Sequence, residues 1–101
     1  MTDNERAAQL AGWEPGQDYG PYPDYENSID AQIADLDPLV EAKWRGPMNE
    51  RVYAPLWKGG PWEWAISPDA EFDRSTALGL APARVAARLK ALLAALGAGN
   101  G

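Results

Sequence analysis

The stretch Trp57–Ser67, WKGGPWEWAIS, constrains the fold more strongly than any other part of the 101-residue chain. A Gly-Gly pair separates two runs of strand-forming residues, which predicts a β-hairpin. A two-residue turn made of the glycines requires a backbone N–H donor at position 61, and Pro61 has none. We therefore expect a three-residue loop, 58–60, with Gly60 in the left-handed conformation and its N–H bonded back to Trp57.

Loop length also decides which side chains of the predicted strands, 50–57 and 62–67, share a face, because a slip of one residue exchanges the faces. The three-residue loop predicts one apolar face made of Val52, Ala54, Leu56, Trp62, Trp64 and Ile66. The opposite face would carry Arg51, Tyr53, Pro55, Trp57, Glu63, Ala65 and Ser67. We expect Trp62 and Trp64 in the core; Trp57 either covers a helix, meets a second copy of the chain or contacts a partner.

Helices are predicted at both ends of the chain. Thr2 or Asp3 can cap a short helix that runs through Ala11. Pro82 opens the last helix and Gly97 ends it. The apolar side of this last helix consists of Val85, Leu89, Leu92, Leu93 and Leu96, and its solvent-facing side of Arg84, Arg88 and Lys90.

A middle helix is predicted after a cap at Asn27 or Ser28 and ends near Trp44. Pro38 interrupts it, so that either the helix kinks there or Asp37 caps a new turn with Pro38 as its first residue. Residues at helical spacing form one apolar stripe, Ile29, Ile33, Leu36 and Val40.

Two segments are irregular. Residues 14–27 contain three prolines and form a loop, and the tyrosines within it recur at every third position, Tyr19, Tyr22 and Tyr25. In an extended proline-type helix this spacing aligns the rings along one edge, which either covers apolar surface or binds a partner. Residues 69–75, DAEFDRS, predict a short third strand centred on Phe72.

Together these elements predict an α+β fold: a small antiparallel sheet, consisting of the hairpin and a third strand, packed with two to three helices in a sandwich-like arrangement. The length suits one domain, residues 1–96, followed by a flexible tail, 97–101. The N-terminal segment lacks the apolar region of a signal peptide and no apolar run approaches ~20 residues, so we expect a soluble protein.

Composition argues against catalysis and against cofactors. The chain has no Cys, so it has no thiol nucleophile, and no His, which is the commonest general base. Its serines therefore have no partner that could activate them. Asp69, Glu71 and Asp73 begin a calcium-loop pattern, but Arg74 and Leu80 replace its glycine and its closing glutamate, so we expect no metal site. Residues 1–73 hold all fifteen acidic residues and only five of the nine basic ones, which disfavours nucleic-acid binding.

Four motifs in this order resemble a known family. They are Gly12-Trp13, PDYENSIDA (23–31), PWEWAIS (61–67) and STALGLAPARVAARLKALL (75–93). Over Leu10–Leu96 the chain is similar to small phage and prophage proteins of the αβα-sandwich (ABA sandwich) domain type. The resemblance implies a viral or prophage origin and a sandwich fold in which a tryptophan-bearing strand precedes a helix that begins at a proline. With the cytoplasmic, soluble character expected from the N-terminal segment and the missing apolar run, the expected location is the host cytoplasm.

The expected function is therefore protein–protein interaction. One hypothesis is an inhibitor of a host defence complex that processes nucleic acid, such as a CRISPR effector, with carboxylates standing in for phosphates. The alternative is a phage structural, assembly or accessory protein that contacts other phage subunits or itself, including as a homodimer. The residues predicted to bind the partner are Tyr53, Trp57, Glu63, Tyr19, Tyr22, Asp24, Asp35, Asp37 and Glu41.

Overall fold

Capping and turn residues divide the chain into three helices, three strands and a final helix within the described residues. The computed structural model describes residues 2–13, 22–72 and 76–97. Within these residues the elements are α1 (Asp3–Leu10), α2 (Ile29–Asp35), α3 (Asp37–Trp44), β1 (Asn49–Tyr53), β2 (Trp62–Ser67), β3 (Ala77–Ala81) and α4 (Arg84–Ala95). The predicted α+β class is confirmed, and the predicted middle helix is divided into α2 and α3.

The first two helices begin at the capping residues that the sequence suggested. The Thr2 hydroxyl accepts a hydrogen bond from the Glu5 N–H at 3.1 Å, and the Glu5 carboxylate accepts one from the Thr2 N–H at 3.3 Å. This reciprocal capping box satisfies donors that a helix start leaves without partners. Ser28, rather than Asn27, caps α2.

Pro38 marks the start of a separate helix. Of the two alternatives, a kink or a new turn capped by Asp37, the structure shows a new helix, but its N-cap residue is Leu36 and Asp37 is already helical. The Asp37 side chain makes no cap because it accepts hydrogen bonds from Arg88 instead. The predicted end at Trp44 is confirmed.

The predicted apolar stripe across α2 and α3 is only half correct. Leu36 and Val40 are fully buried, whereas Ile29 and Ile33 are exposed. The buried residue of α2 is Gln32, whose amide donates to two backbone carbonyl oxygens of neighbouring segments at 2.7 and 2.9 Å. When the inward-facing side chain of a short helix forms hydrogen bonds to backbone groups of neighbouring segments, the helix need not bury every residue of its apolar stripe.

The hairpin strands pair antiparallel, with Tyr53 opposite Glu63. The predicted division of faces is correct for the paired residues, but β1 ends at Tyr53, so residues 54–61 form an eight-residue loop instead of a three-residue one. In this register Pro55 would oppose Pro61, and neither can donate to the ladder, which explains why pairing stops.

Within that loop the predicted hydrogen bond from the Gly60 N–H to the Trp57 carbonyl is present at 2.9 Å. The left-handed residue is Gly59 (φ 81°), however, and not Gly60. Leu56, which was predicted to lie on the apolar face, is 92% exposed because it belongs to the loop.

The third strand lies later than predicted. Phe72 lies in an irregular segment after a bend, β3 is Ala77–Ala81, and residues 73–75 lie outside the described residues. β3 pairs antiparallel with β2, which completes a sheet of order β1-β2-β3. Gly79 permits close packing on α4: a Cβ there would overlap the carbonyl oxygen of Ala87.

Helix α4 lies between the sheet and the other helices, since it contacts β2 and β3 on one side and α1 and α3 on the other. It begins at Arg84, two residues after the predicted Pro82, and Gly97 follows it with φ 78°, as expected of a helix stop. Residues 98–101 of the predicted tail lie outside the described residues. The core comprises Ala7, Ala8, Tyr25, Leu36, Val40, Ile66, Leu89, Ala91, Leu92, Leu93 and Ala95.

None of the helices in the described parts of the chain combines the length and apolar character needed to cross a membrane.

Candidate interaction surface

The side of the sheet that faces away from α4 carries the most unusual surface of the protein. Strand register places its side chains in two rows that cross the sheet: Tyr53–Glu63–Leu80 and Arg51–Ala65–Leu78. Directly opposed side chains on neighbouring strands have Cβ atoms about 5 Å apart. We call this surface, together with Leu56 and Trp57 of the β1–β2 loop, the outer face.

Much of the outer face is apolar and exposed. Tyr53, Leu78 and Leu80 are about half exposed, Trp57 is 61% exposed and Leu56 nearly completely so. Large apolar side chains scattered singly over a surface are ordinary, but a contiguous group of them marks an interaction site. Within the described ranges, none of the helices covers the outer face, because α4 packs on the opposite side of the sheet.

Part of the outer face forms a cleft of about 360 Å³, which we call the aromatic cleft. Trp57 reaches it from the β1–β2 loop, with its ring packed so closely over Gly60 that a Cβ at that glycine would lie 2.8 Å from the ring. This contact gives the exposed ring a defined position. The lining residues are Tyr53, Ala54, Leu56, Trp57, Pro61, Glu63 and Leu80.

The other end of the outer face is partly covered by the segment that follows β2. The Arg51 guanidinium lies over the Phe72 ring at 4.3 Å from its centroid, and Phe72 also borders a second cleft of about 290 Å³. Ala65, in the middle of this end, is buried. The accessible apolar surface therefore comprises Tyr53, Leu80 and the neighbouring loop, together with Leu78 on the edge strand.

Arg88 forms a buried polar network on the opposite side of the sheet. It was predicted to face solvent, and this prediction is wrong: its side chain is 2% exposed. Its guanidinium binds the Asp37 carboxylate through two hydrogen bonds, at 2.7 and 3.0 Å, and also donates to Glu50 at 2.8 Å and to Gln32 at 3.2 Å. Burial alone would lower the pKa of Arg88, but the hydrogen bonds to Asp37 and Glu50 outweigh it and raise that pKa.

The same network orients one of the tryptophans. Trp64 donates its indole N–H to Glu50 at 3.0 Å, and the Arg88 guanidinium lies 5.9 Å from its ring centroid. Trp62 carries Arg84 over its ring at 5.2 Å. Both tryptophans are partly buried on the helix-facing side of the sheet, and Trp64 packs against the core.

The structure brings together three of the residues predicted to bind a partner, because Tyr53, Trp57 and Glu63 all line the aromatic cleft. Their binding role stays a prediction. Leu78 and Leu80 belong to the same surface and were not predicted, although the pattern Ala-Leu-Gly-Leu-Ala alternates as a strand does. The alternation typical of a strand was thus visible in the sequence, but the larger side chains of this strand, Leu78 and Leu80, face outward.

The other predicted acidic residues lie elsewhere, on the helices or next to them, and most of them are engaged within the chain. Asp37 pairs with Arg88, and Asp35 accepts the Tyr25 hydroxyl at 2.6 Å. Asp24 accepts a hydrogen bond from the Asn27 side chain at 2.9 Å, and Glu41 is exposed on α3. These carboxylates are not part of the outer face.

The tyrosines of the proline-rich segment do not form a common edge where they are described. Tyr25 lies in a turn and is fully buried, whereas Tyr22 is partly exposed and its ring centroid lies 6.5 Å from that of Trp13. Burial and the hydrogen bond to Asp35 raise the pKa of Tyr25 above its usual value. Tyr19 lies outside the described residues.

In the segment that resembled a calcium loop, Asp69 accepts the Glu71 N–H at 2.8 Å in a local turn, and Asp73 lies outside the described residues. Over the described ranges, no group of three or more acidic side chains is placed to hold a metal ion.

Comparison of the chain with protein-family models, with curated proteins and with solved structures gave no match. The resemblance to the phage αβα-sandwich proteins therefore rests on the four sequence motifs alone.

Proposed function

We propose that this chain is a non-catalytic protein that binds another protein through the outer face. The observation that carries this proposal is the contiguous group of exposed apolar side chains around the aromatic cleft. Burying one such side chain contributes roughly 1.5–3 kcal/mol, and tryptophan and tyrosine are the residues that most often dominate binding energy. A few anchors of this kind suffice for a specific complex.

The partner that we propose is a host defence complex that processes nucleic acid, which the protein would inhibit. The acidic excess of residues 1–73 supports a partner with a basic surface, because opposite charge accelerates encounter. Since Asp35 and Asp37 are engaged within the chain, the proposal relies on Glu63 and the aromatic cleft and not on helical carboxylates that imitate phosphates.

A phage plaquing assay tests this proposal. The protein is expressed in hosts with and without an active CRISPR system, and the wild type should restore plaquing only where the system is active. Trp57→Ser and Leu80→Ser should abolish the restoration. Ile33→Ser is the matched control, since it removes an exposed apolar side chain from α2, away from the sheet. Equal plaquing with all variants across several defence systems would contradict the inhibitor proposal.

A second function, self-association or assembly with phage subunits, is favoured by the edge of the sheet. Within the described residues β3 has only one neighbouring strand and carries no charged side chain. Uncharged apolar edge strands readily pair with another strand. Light scattering should then give the mass of a dimer, which Leu78→Lys converts to a monomer; a wild-type monomer at high micromolar concentration would contradict self-association.

A further inference from the structure

Arginine over an aromatic ring is a repeated contact in this protein. The pairs and their distances to the ring centroid are Arg51 with Phe72 (4.3 Å), Arg84 with Trp62 (5.2 Å) and Arg88 with Trp64 (5.9 Å). In the described parts of the chain, no cation is placed over Tyr53 or Trp57. The rings that line the aromatic cleft are thus open to a cation from outside.

The cleft also contains a negative charge in a suitable position. Glu63 is directly opposite both Tyr53 and Leu80 in the strand register, so its carboxylate lies between an aromatic and an aliphatic side chain. Its side chain forms no hydrogen bond or ion pair with the described residues. An apolar group that filled the cleft would strip water from this carboxylate without replacing the lost hydrogen bonds, which is unfavourable.

We infer that the aromatic cleft is a binding site for an arginine side chain of the partner protein, an inference that rests on the proposed function. The guanidinium stacks on Trp57 and pairs with Glu63, while its methylene stem lies along Leu80. Arginine suits this site better than lysine because its planar, weakly hydrated group stacks and hydrogen-bonds at the same time. The net charge of −6 favours its approach.

Nuclear magnetic resonance on the full, ¹⁵N-labelled chain tests the site directly. The probe is the peptide acetyl-Gly-Arg-Gly-amide, and its control is the same peptide with citrulline, which has nearly the shape of arginine without the charge. Each tryptophan has its own indole N–H signal, so the other four tryptophans serve as internal references. The Trp57 signal should move and saturate with the arginine peptide and move far less with the citrulline peptide.

Two charge-matched variants separate a specific site from general attraction. Glu63→Gln should weaken peptide binding about fivefold, the effect of one unit charge at ~4 Å in a water-exposed site. Glu26→Gln removes the same charge from the exposed turn before α2 and should leave binding unchanged. Trp57→Leu removes the indole signal, so its binding is followed by the backbone amide signal of Glu63, and it should be weaker by roughly two- to fivefold through loss of the cation–π contact.

Several results would overturn the inference. Equal shifts with arginine and citrulline, or equal weakening by Glu63→Gln and Glu26→Gln, would show that no specific cation site exists. A Trp57 signal that moves with protein concentration alone would assign the cleft to a second copy. If Glu63→Gln restores plaquing as the wild type does while Trp57→Ser does not, the arginine site is wrong and the proposed interaction surface stands.

Discussion

Replacement of Arg88 by methionine tests whether the buried network stabilises the fold. Methionine preserves most of the length of the side chain but removes four hydrogen bonds, including both bonds to Asp37. The Asp37 side chain is only 12% exposed and would be left as an unpaired buried charge, whereas the Glu50 side chain is 34% exposed and can regain water. Breaking a buried ion pair in this way costs about 3–5 kcal/mol.

Such a loss is a large part of the 5–15 kcal/mol that stabilises a typical small domain. Urea unfolding followed by tryptophan fluorescence measures it, and thermal unfolding should show a Tm lower by more than about 10 °C. The matched control is Arg84→Met on the same helix, where an exposed cation over Trp62 contributes roughly 0.5–1 kcal/mol.

A double variant shows whether the loss comes from the unpaired charge. Combining Arg88→Met with Asp37→Asn removes that charge, so the double variant should unfold less readily than Arg88→Met alone, by about 1–2 kcal/mol. The reasoning is refuted if Arg88→Met lowers the free energy of unfolding by less than about 1 kcal/mol. It is also refuted if the separate effects of Arg88→Met and Asp37→Asn add up to the effect of the double variant. Either result would show that water reaches the network.

Three further predictions concern packing and pH. Gly79→Ala should destabilise by about 1–3 kcal/mol, because the new Cβ overlaps the backbone of α4, while Gly46→Ala, with open space around it, should change unfolding in urea little. Trp57→Ala should change the free energy of unfolding by less than about 0.5 kcal/mol, and Trp64→Ala should lower it by about 3 kcal/mol; equal losses would show that both rings are core. The pKa of Tyr25 is raised in the folded state. The contribution of the protonated Tyr25 hydroxyl to the free energy of unfolding is therefore complete below about pH 10 and is lost as the pH rises above that value. Between pH 9 and pH 11 the wild type should therefore lose about 1 kcal/mol more than Tyr25→Phe, and identical losses would contradict the raised pKa.

The candidate surface could be predicted only in part. Tyr53 and Glu63 share a face as predicted, because side-chain alternation along the strands determines it. Trp57 reaches the same cleft from the eight-residue β1–β2 loop and not as part of a strand. Leu78 and Leu80 were missed because an Ala-Leu-Gly-Leu-Ala segment has no polar alternation to reveal which of its sides is exposed. The exposure of Leu56 follows from the length of the β1–β2 loop, which depends on where strand pairing stops.

Local chemistry in the sequence determined the starts of the first two helices, the break at Pro38 and the presence of the hairpin, but not the length of its loop or the start of α4. Thr2, Ser28 and Gly97 act through contacts within a few residues, so their roles follow from the chain itself. Pro38 acts in the same way, since a proline can open a helix but cannot continue one.

Tertiary structure decided the partners of the charged residues and the uncovered side of the sheet. Arg88 borders the apolar stripe of α4, between Val85 and Leu92 in a helical projection, and only its contacts with Asp37, Glu50 and Gln32 make its burial favourable. In the same way, α4 covers one side of the sheet because Gly79 permits close packing. That packing leaves the outer face, with Trp57, as an exposed apolar surface within the described residues.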